Sequence, residues 1–141
     1  MSVSTVLAYR WDGKRRRMFF RTTPDSYNTE KLIAFFKHLK RDLRGRRVIL
    51  VWDGLPAHKS RAMNFYLAQQ SDWLSTERLP AYAPELNPVE TLWSNVKGRE
   101  LANFCAEDLG AAAGALRRGM ARVRGRRDLG LSFLDHTGLF F

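Results

Sequence analysis

The sequence predicts an α/β fold with its elements in the order β-β-α-β-α-β. Three observations carry that reading. Two runs rich in β-branched and aromatic residues flank Asp12-Gly13, and Asp-Gly between such runs is a strong hairpin signal. Val48-Ile49-Leu50-Val51-Trp52 is a continuous apolar run without alternation, the pattern of a strand buried on both faces of a parallel sheet. Between and after these runs, apolar residues recur every three or four positions, the helical period.

The elements follow in order. Residues 3–11 form the first strand, and a second ends at Arg17-Met18-Phe19-Phe20. Asp12 is read as a turn residue, since a type I′ turn needs positive φ at both central positions. Pro24 and its short polar neighbours break the chain and suit a helix cap. Leu32, Phe36, Leu39 and Leu43, broadened by Ile33 and Phe35, predict an amphipathic helix over 27–43 that ends at Gly45. Its outer face carries Lys31, Lys37, Lys40, Arg41 and Arg44, expected to be solvated. After the apolar strand, a helix over 60–71 faces inward with Met63, Tyr66 and Leu67, and residues 75–79 make a short strand.

Leu79-Pro80-Ala81-Tyr82-Ala83-Pro84-Glu85-Leu86-Asn87-Pro88-Val89-Glu90-Thr91-Leu92-Trp93 is a stiff loop running into a helix. Asn87 suits the cap, Pro88 the first helical position, and Glu90 the third residue after the cap. Val89, Leu92, Trp93 and Val96 form the inner stripe. A last helix over 106–123 turns Leu109, Ala112, Ala113, Leu116, Met120 and Val123 inward. Arg117, Arg118, Arg122, Arg124, Arg126 and Arg127 crowd its end. They serve either as the main polyanion contact or as a solvated run. Residues 1–127 are read as one domain and 128–141 as a tail that either docks on the core or stays exposed.

Composition narrows the partners. The 141 residues carry a formal net charge of +10, which points to a polyanion, nucleic acid or an anionic membrane surface. A merely basic, soluble protein is the plainer alternative. Cys105 is the single cysteine, so no intramolecular disulfide forms, as in a reducing compartment. No apolar run approaches the ~20 residues of a membrane span, and the N-terminus lacks a signal-peptide pattern. The expected location is the cytoplasm, on the nucleoid when DNA is bound, with no membrane partner.

Two carboxylates stand out. Asp53 ends the apolar strand, where open α/β sheets place their sites; the alternative is that it only caps the following turn. Glu90 follows 37 positions later, at 90 against 53; the alternative is that it only completes a capping box. Paired carboxylates can divide acid and base roles or hold Mg2+ or Mn2+, which prefer hard oxygen ligands. The basic charge favours phosphate chemistry.

The stretch Val51-Trp52-Asp53-Gly54-Leu55-Pro56-Ala57-His58-Lys59-Ser60, the loop-helix stretch from Leu79 to Trp93, and Lys97 resemble the catalytic core of mariner-related bacterial insertion-sequence transposases over about residues 5–120. The resemblance implies a DDE endonuclease with a ribonuclease-H-like, integrase-like mixed sheet and flanking helices. It makes Asp53 and Glu90 the second and third acidic residues of a catalytic triad that holds Mg2+ or Mn2+. It makes Lys97 a DNA contact and matches His58 to a histidine that contacts phosphate or packs; Lys59 lies in the same DNA-facing motif. The family's first Asp and its central first strand have no counterpart here, since Asp12 and Asp25 occupy other positions. The expectation is thus a C-terminal part of a catalytic domain, inactive by itself in strand transfer. It is completed by an upstream-frame fragment, degenerate, or given too late a start. The alternatives are an inert basic DNA-binding or regulatory fragment that joins intact transposase, and a metal-dependent nuclease of the same fold.

Overall fold

The computed structural model describes residues 2–10, 15–102 and 109–139. The expected Asp12-Gly13 turn, Cys105 and the start of the last predicted helix before Leu109 lie outside the described residues. The chain forms two compact units, one of residues 1–4 and 20–83 and the other of residues 5–19 and 84–141.

Strands β1 (Ser2–Tyr9) and β2 (Arg16–Thr23) pair as a two-stranded sheet. Strands β3 (Val48–Trp52) and β4 (Leu74–Arg78) make a second sheet. They run parallel, with Val48 opposite Leu74 and Trp52 opposite Arg78. The expected mixed sheet is therefore two small sheets, and among the described residues no strand joins them.

In the first unit, helix α1 (Thr29–Asp42) starts at Asn28, whose side chain accepts from the Lys31 N–H at 3.0 Å. Capping of this kind satisfies one of the orphan N–H groups of a first turn. Arg44 and Gly45 both take positive φ, 54° and 65°, and stop the helix. Helix α1 buries Leu32, Phe35, Phe36 and Leu39. The Phe36 ring meets Trp52 edge-on at 5.7 Å and stacks near Tyr66 at 6.5 Å. Tyr66 and Met63 come from α3 (Arg61–Ala68), which is capped by Ser60 accepting from the Met63 N–H. The predicted helix over 60–71 is thus preceded by a separate turn, α2 (Pro56–Lys59). Lys40 departs from the expected solvated face: its ammonium donates to Gln70 at 3.1 Å and lies over the Trp73 ring.

One sequence expectation is corrected. Strand β3 is not buried on both faces: Leu50 and Trp52 are buried, while Ile49 and Val51 are 62% and 47% exposed. Leu74 is buried, but Ser75 to Arg78 are exposed, and the aromatic cluster covers one face of this ladder only.

In the second unit, a 3-10 turn at Pro84–Leu86 leads into α4 (Pro88–Glu100), followed by α5 (Leu109–Gly125) and α6 (Arg127–Asp135). The three helices pack on one another. Leu92, Val96, Leu116, Met120 and Val123 are fully buried between them. Helix α6 answers the question left by the tail: Gly130, Phe133 and Leu134 are buried, so residues 127–135 dock through an amphipathic helix.

Tyr9 of β1 and Arg16 of β2, both in this unit, bond to its helices. The Arg16 guanidinium donates to the Val123 carbonyl at 2.8 Å and to those of Arg126 and Arg127, capping the end of α5. A cation suits the carbonyl-rich end of a helix. The Tyr9 hydroxyl donates to the Gly130 carbonyl at 2.8 Å, and burial pushes its pKa upward.

Candidate active site and basic surface

Asp53 stands immediately after β3, at the carboxyl end of a parallel strand, and its side chain is 47% exposed. Its Oδ1 accepts from the Leu55 N–H at 3.2 Å, an Asx turn that carries the chain from the strand into α2. The same oxygen lies 2.9 Å from His58 Nδ1. His58 sits on α2, whose first turn is closed by its own N–H on the Leu55 carbonyl. Its ring stacks flat on Trp52, with centroids 4.2 Å apart and planes 10° apart. The reading of Asp53 as a turn cap is therefore correct, but it uses only one oxygen of a half-exposed carboxylate.

Gly54 leaves space that Lys59 fills: an added Cβ would stand 3.0 Å from Lys59 Cε and Nζ. The exposed ammonium of Lys59 thus folds back over the backbone beside Asp53, adding positive charge there.

Glu90 lies in the first turn of α4 and is exposed. The capping-box alternative needs the Glu90 carboxylate on the Asn87 N–H. That N–H is instead bonded to the Pro84 carbonyl at 3.0 Å, through the 3-10 turn, while the Asn87 side chain caps the Val89 N–H at 3.1 Å. The prolines thus do more than stiffen the loop: they occupy the donor that would have tethered Glu90. Tyr82, in the same loop, is fully exposed and takes φ of 59°, a conformation uncommon outside glycine. Nothing in the sequence signals that conformation.

Asp53 belongs to the first compact unit and Glu90 to the second. Among the described residues no group of three His, Cys, Asp or Glu side chains is gathered for a metal ion. The two carboxylates are hard oxygen donors, the ligand type that Mg2+ and Mn2+ prefer, and each keeps an exposed carboxylate.

The basic residues divide by setting. Lys97 on α4 and Arg117, Arg118 and Arg124 on α5 are exposed, as are Arg126 and Arg127 at the start of α6. Arg126 pairs with Asp128 at 3.1 Å on the surface. Arg122 differs. Its Nε and Nη2 donate to the two Glu100 oxygens at 2.5 and 3.0 Å, and Nη2 also reaches Asn95 at 2.7 Å. This side chain locks α5 to α4, and hydrogen bonds from Arg122 hold the Glu100 carboxyl below the usual carboxylate range. The sequence run of arginines gave no sign of that division, because the partner lies 22 residues upstream on another helix.

The fold is of the ribonuclease-H-like kind. The chain is similar to the Mos1 transposase catalytic domain solved with raltegravir and magnesium: 21% identity, 96% of this chain and 73% of that one covered, TM-score 0.60. It is also similar to Mos1 transposase in a paired-end complex with the left transposon end: 20% identity, 93% of this chain and 43% of that one covered, TM-score 0.50. The search of curated proteins finds no match. The family model described as DDE superfamily endonuclease matches residues 2–109. The chain belongs to that family.

Proposed function

We propose that the chain is part of a DDE transposase catalytic domain, acting on DNA, with Asp53 and Glu90 as carboxylates that hold Mg2+ or Mn2+. The observation that carries this reading is Asp53 at the carboxyl end of a parallel strand, with half its side chain exposed and one oxygen outside its turn hydrogen bonds. Glu90 adds a second exposed carboxylate whose capping partner is already occupied. When bound, the divalent ions supply Lewis-acid stabilisation of phosphodiester oxygens. Asp53 and Glu90 hold them, Lys59 and Lys97 neutralise nearby phosphate charge, and the exposed arginines of α5 and α6 bind backbone. Arg122 serves helix packing in this reading. The transposon end bound by Mos1 in its paired-end complex supports DNA as the partner, and the Mos1 domain with magnesium supports the choice of ion.

The reading is tested with the purified chain, Mg2+ or Mn2+, and duplex DNA carrying the ends of its own element. Little or no strand transfer is expected from this chain alone, because only two of the acidic residues implied by the triad are assigned in it. Robust cleavage abolished by Asp53→Ala would overturn that expected inactivity while upholding the metal role of Asp53.

A second reading is favoured by the exposed basic residues on α5 and α6: the chain binds DNA, or joins intact transposase, without chemistry of its own. Binding that survives Asp53→Ala and Glu90→Ala but weakens when Arg117 and Arg118 are neutralised supports it. Affinity insensitive to salt counts against both.

A further inference from the structure

Metal ligation by Asp53 needs a carboxylate held in one orientation, and the turn around it contains a device for that. We propose that His58 is a positioning residue: its Nδ1–H holds the Asp53 main chain with Oδ1 close beside it, so that the Asx turn keeps Oδ1 and leaves Oδ2 presented to a divalent ion. This rests on the reading of Asp53 as a metal ligand.

The tautomer follows from the surroundings. His58 Nδ1 lies 2.9 Å from Asp53 Oδ1 and 3.1 Å from the Asp53 carbonyl oxygen. Both are acceptors, so Nδ1 must carry the hydrogen. The hydrogen bond runs to the carbonyl, with Oδ1 close alongside and itself accepting from the Leu55 N–H. Rotation of the carboxylate breaks the bond from Leu55 and moves Oδ1 away from Nδ1.

The ring itself is held. It lies flat on Trp52, which is buried and meets Phe36 edge-on. The His58 side chain is 14% exposed against 47% for Asp53. A line of contacts therefore runs from the aromatic core, Phe36 to Trp52 to His58, and ends on the carboxylate. A ring this covered, with Nδ1 committed, has only Nε2 to offer a phosphate, so orienting Asp53 accounts for more of its geometry than DNA contact does. Groups that orient a metal ligand in this way typically change metal affinity by about 10–100-fold when removed.

The test uses the full chain with Mn2+ as the probe, read by electron paramagnetic resonance, beside melting curves and near-ultraviolet dichroism. His58→Phe keeps a ring on Trp52 but removes the donor. It is expected to melt as a folded protein and bind Mn2+ about 10-fold or more weakly. His58→Asn, with an N–H donor at the δ position, is expected to restore most of the affinity. Asp53→Ala is expected to lose it. A metal-free measurement stands beside these: long-range nitrogen NMR of the neutral His58 ring should show the Nδ1–H tautomer. The Nε2–H tautomer overturns the proposal, whatever the variants do. Wild-type affinity in a folded His58→Phe, with Asp53→Ala impaired, also overturns it and leaves the metal role of Asp53 standing. Unchanged Mn2+ binding in Asp53→Ala, or none in the wild type, overturns the metal reading and this proposal with it.

Discussion

Arg122 closes on Glu100 with two parallel hydrogen bonds, Nε to Oε1 at 2.5 Å and Nη2 to Oε2 at 3.0 Å. The pair bridges α5 and α4, and both side chains are mostly covered, 23% and 17% exposed. Hydrogen bonding from Arg122 depresses the Glu100 pKa from its ordinary 4.5. A depressed carboxylate contributes stability that is fully present above its unfolded pKa and is lost as pH falls through the folded value. Denaturant midpoints should therefore hold steady above about pH 5 and fall below it. Glu100→Gln should flatten that part of the acid dependence, and Glu100→Ala should destabilise by about 2 kcal/mol. An unchanged acid profile in Glu100→Gln would show that the pair contributes nothing.

Gly130 is required by Arg16. A methyl at position 130 overlaps the Arg16 guanidinium, which would have to leave the carbonyls at the end of α5. Gly130→Ala should cost about 1–3 kcal/mol, the usual range for overpacking. In an Arg16→Ala background the same substitution should cost clearly less, because the two sites are coupled. Equal costs in both backgrounds, by chemical denaturation, would show that the crowding is relieved elsewhere.

Glu90 and Asn87 should separate cleanly in stability. Asn87→Ala removes the bond to the Val89 N–H and should cost about 1 kcal/mol. Glu90→Gln removes no tether and should cost no more than about 0.5 kcal/mol, the share of the helix dipole. A larger loss in Glu90→Gln would mean that its carboxylate holds the helix after all.

DNA affinity should fall steeply with salt, with a log–log slope of about 0.9 for each phosphate neutralised on duplex DNA. Replacing Arg117 and Arg118 by Gln should lower that slope by up to about 2. Arg122→Gln should instead lower melting temperature. Fluorescence anisotropy across a salt series, beside melting curves, separates the surface arginines from the one that bonds Glu100.

The sequence by itself determined most of the elements and the two acidic positions. Strand β3, helix α1 and the Asn87-Pro88 start of α4 were legible because apolar period, capping chemistry and proline act over a few neighbouring residues. Asp53 and Glu90 were visible for the same reason, each at the end or start of such an element. Tertiary structure alone shows what each of them bonds. Glu90 is free of its capping box because the Pro84 carbonyl takes the Asn87 N–H. Asp53 has its carbonyl bonded by a histidine that stacks on Trp52. Arg122 leaves the basic surface because Glu100 lies across from it, and Ile49 and Val51 stay exposed because the aromatic cluster covers the Leu50 and Trp52 side of β3. Each of these depends on groups that meet across different elements or on a backbone bend, and a linear pattern of residue types carries no distance between them.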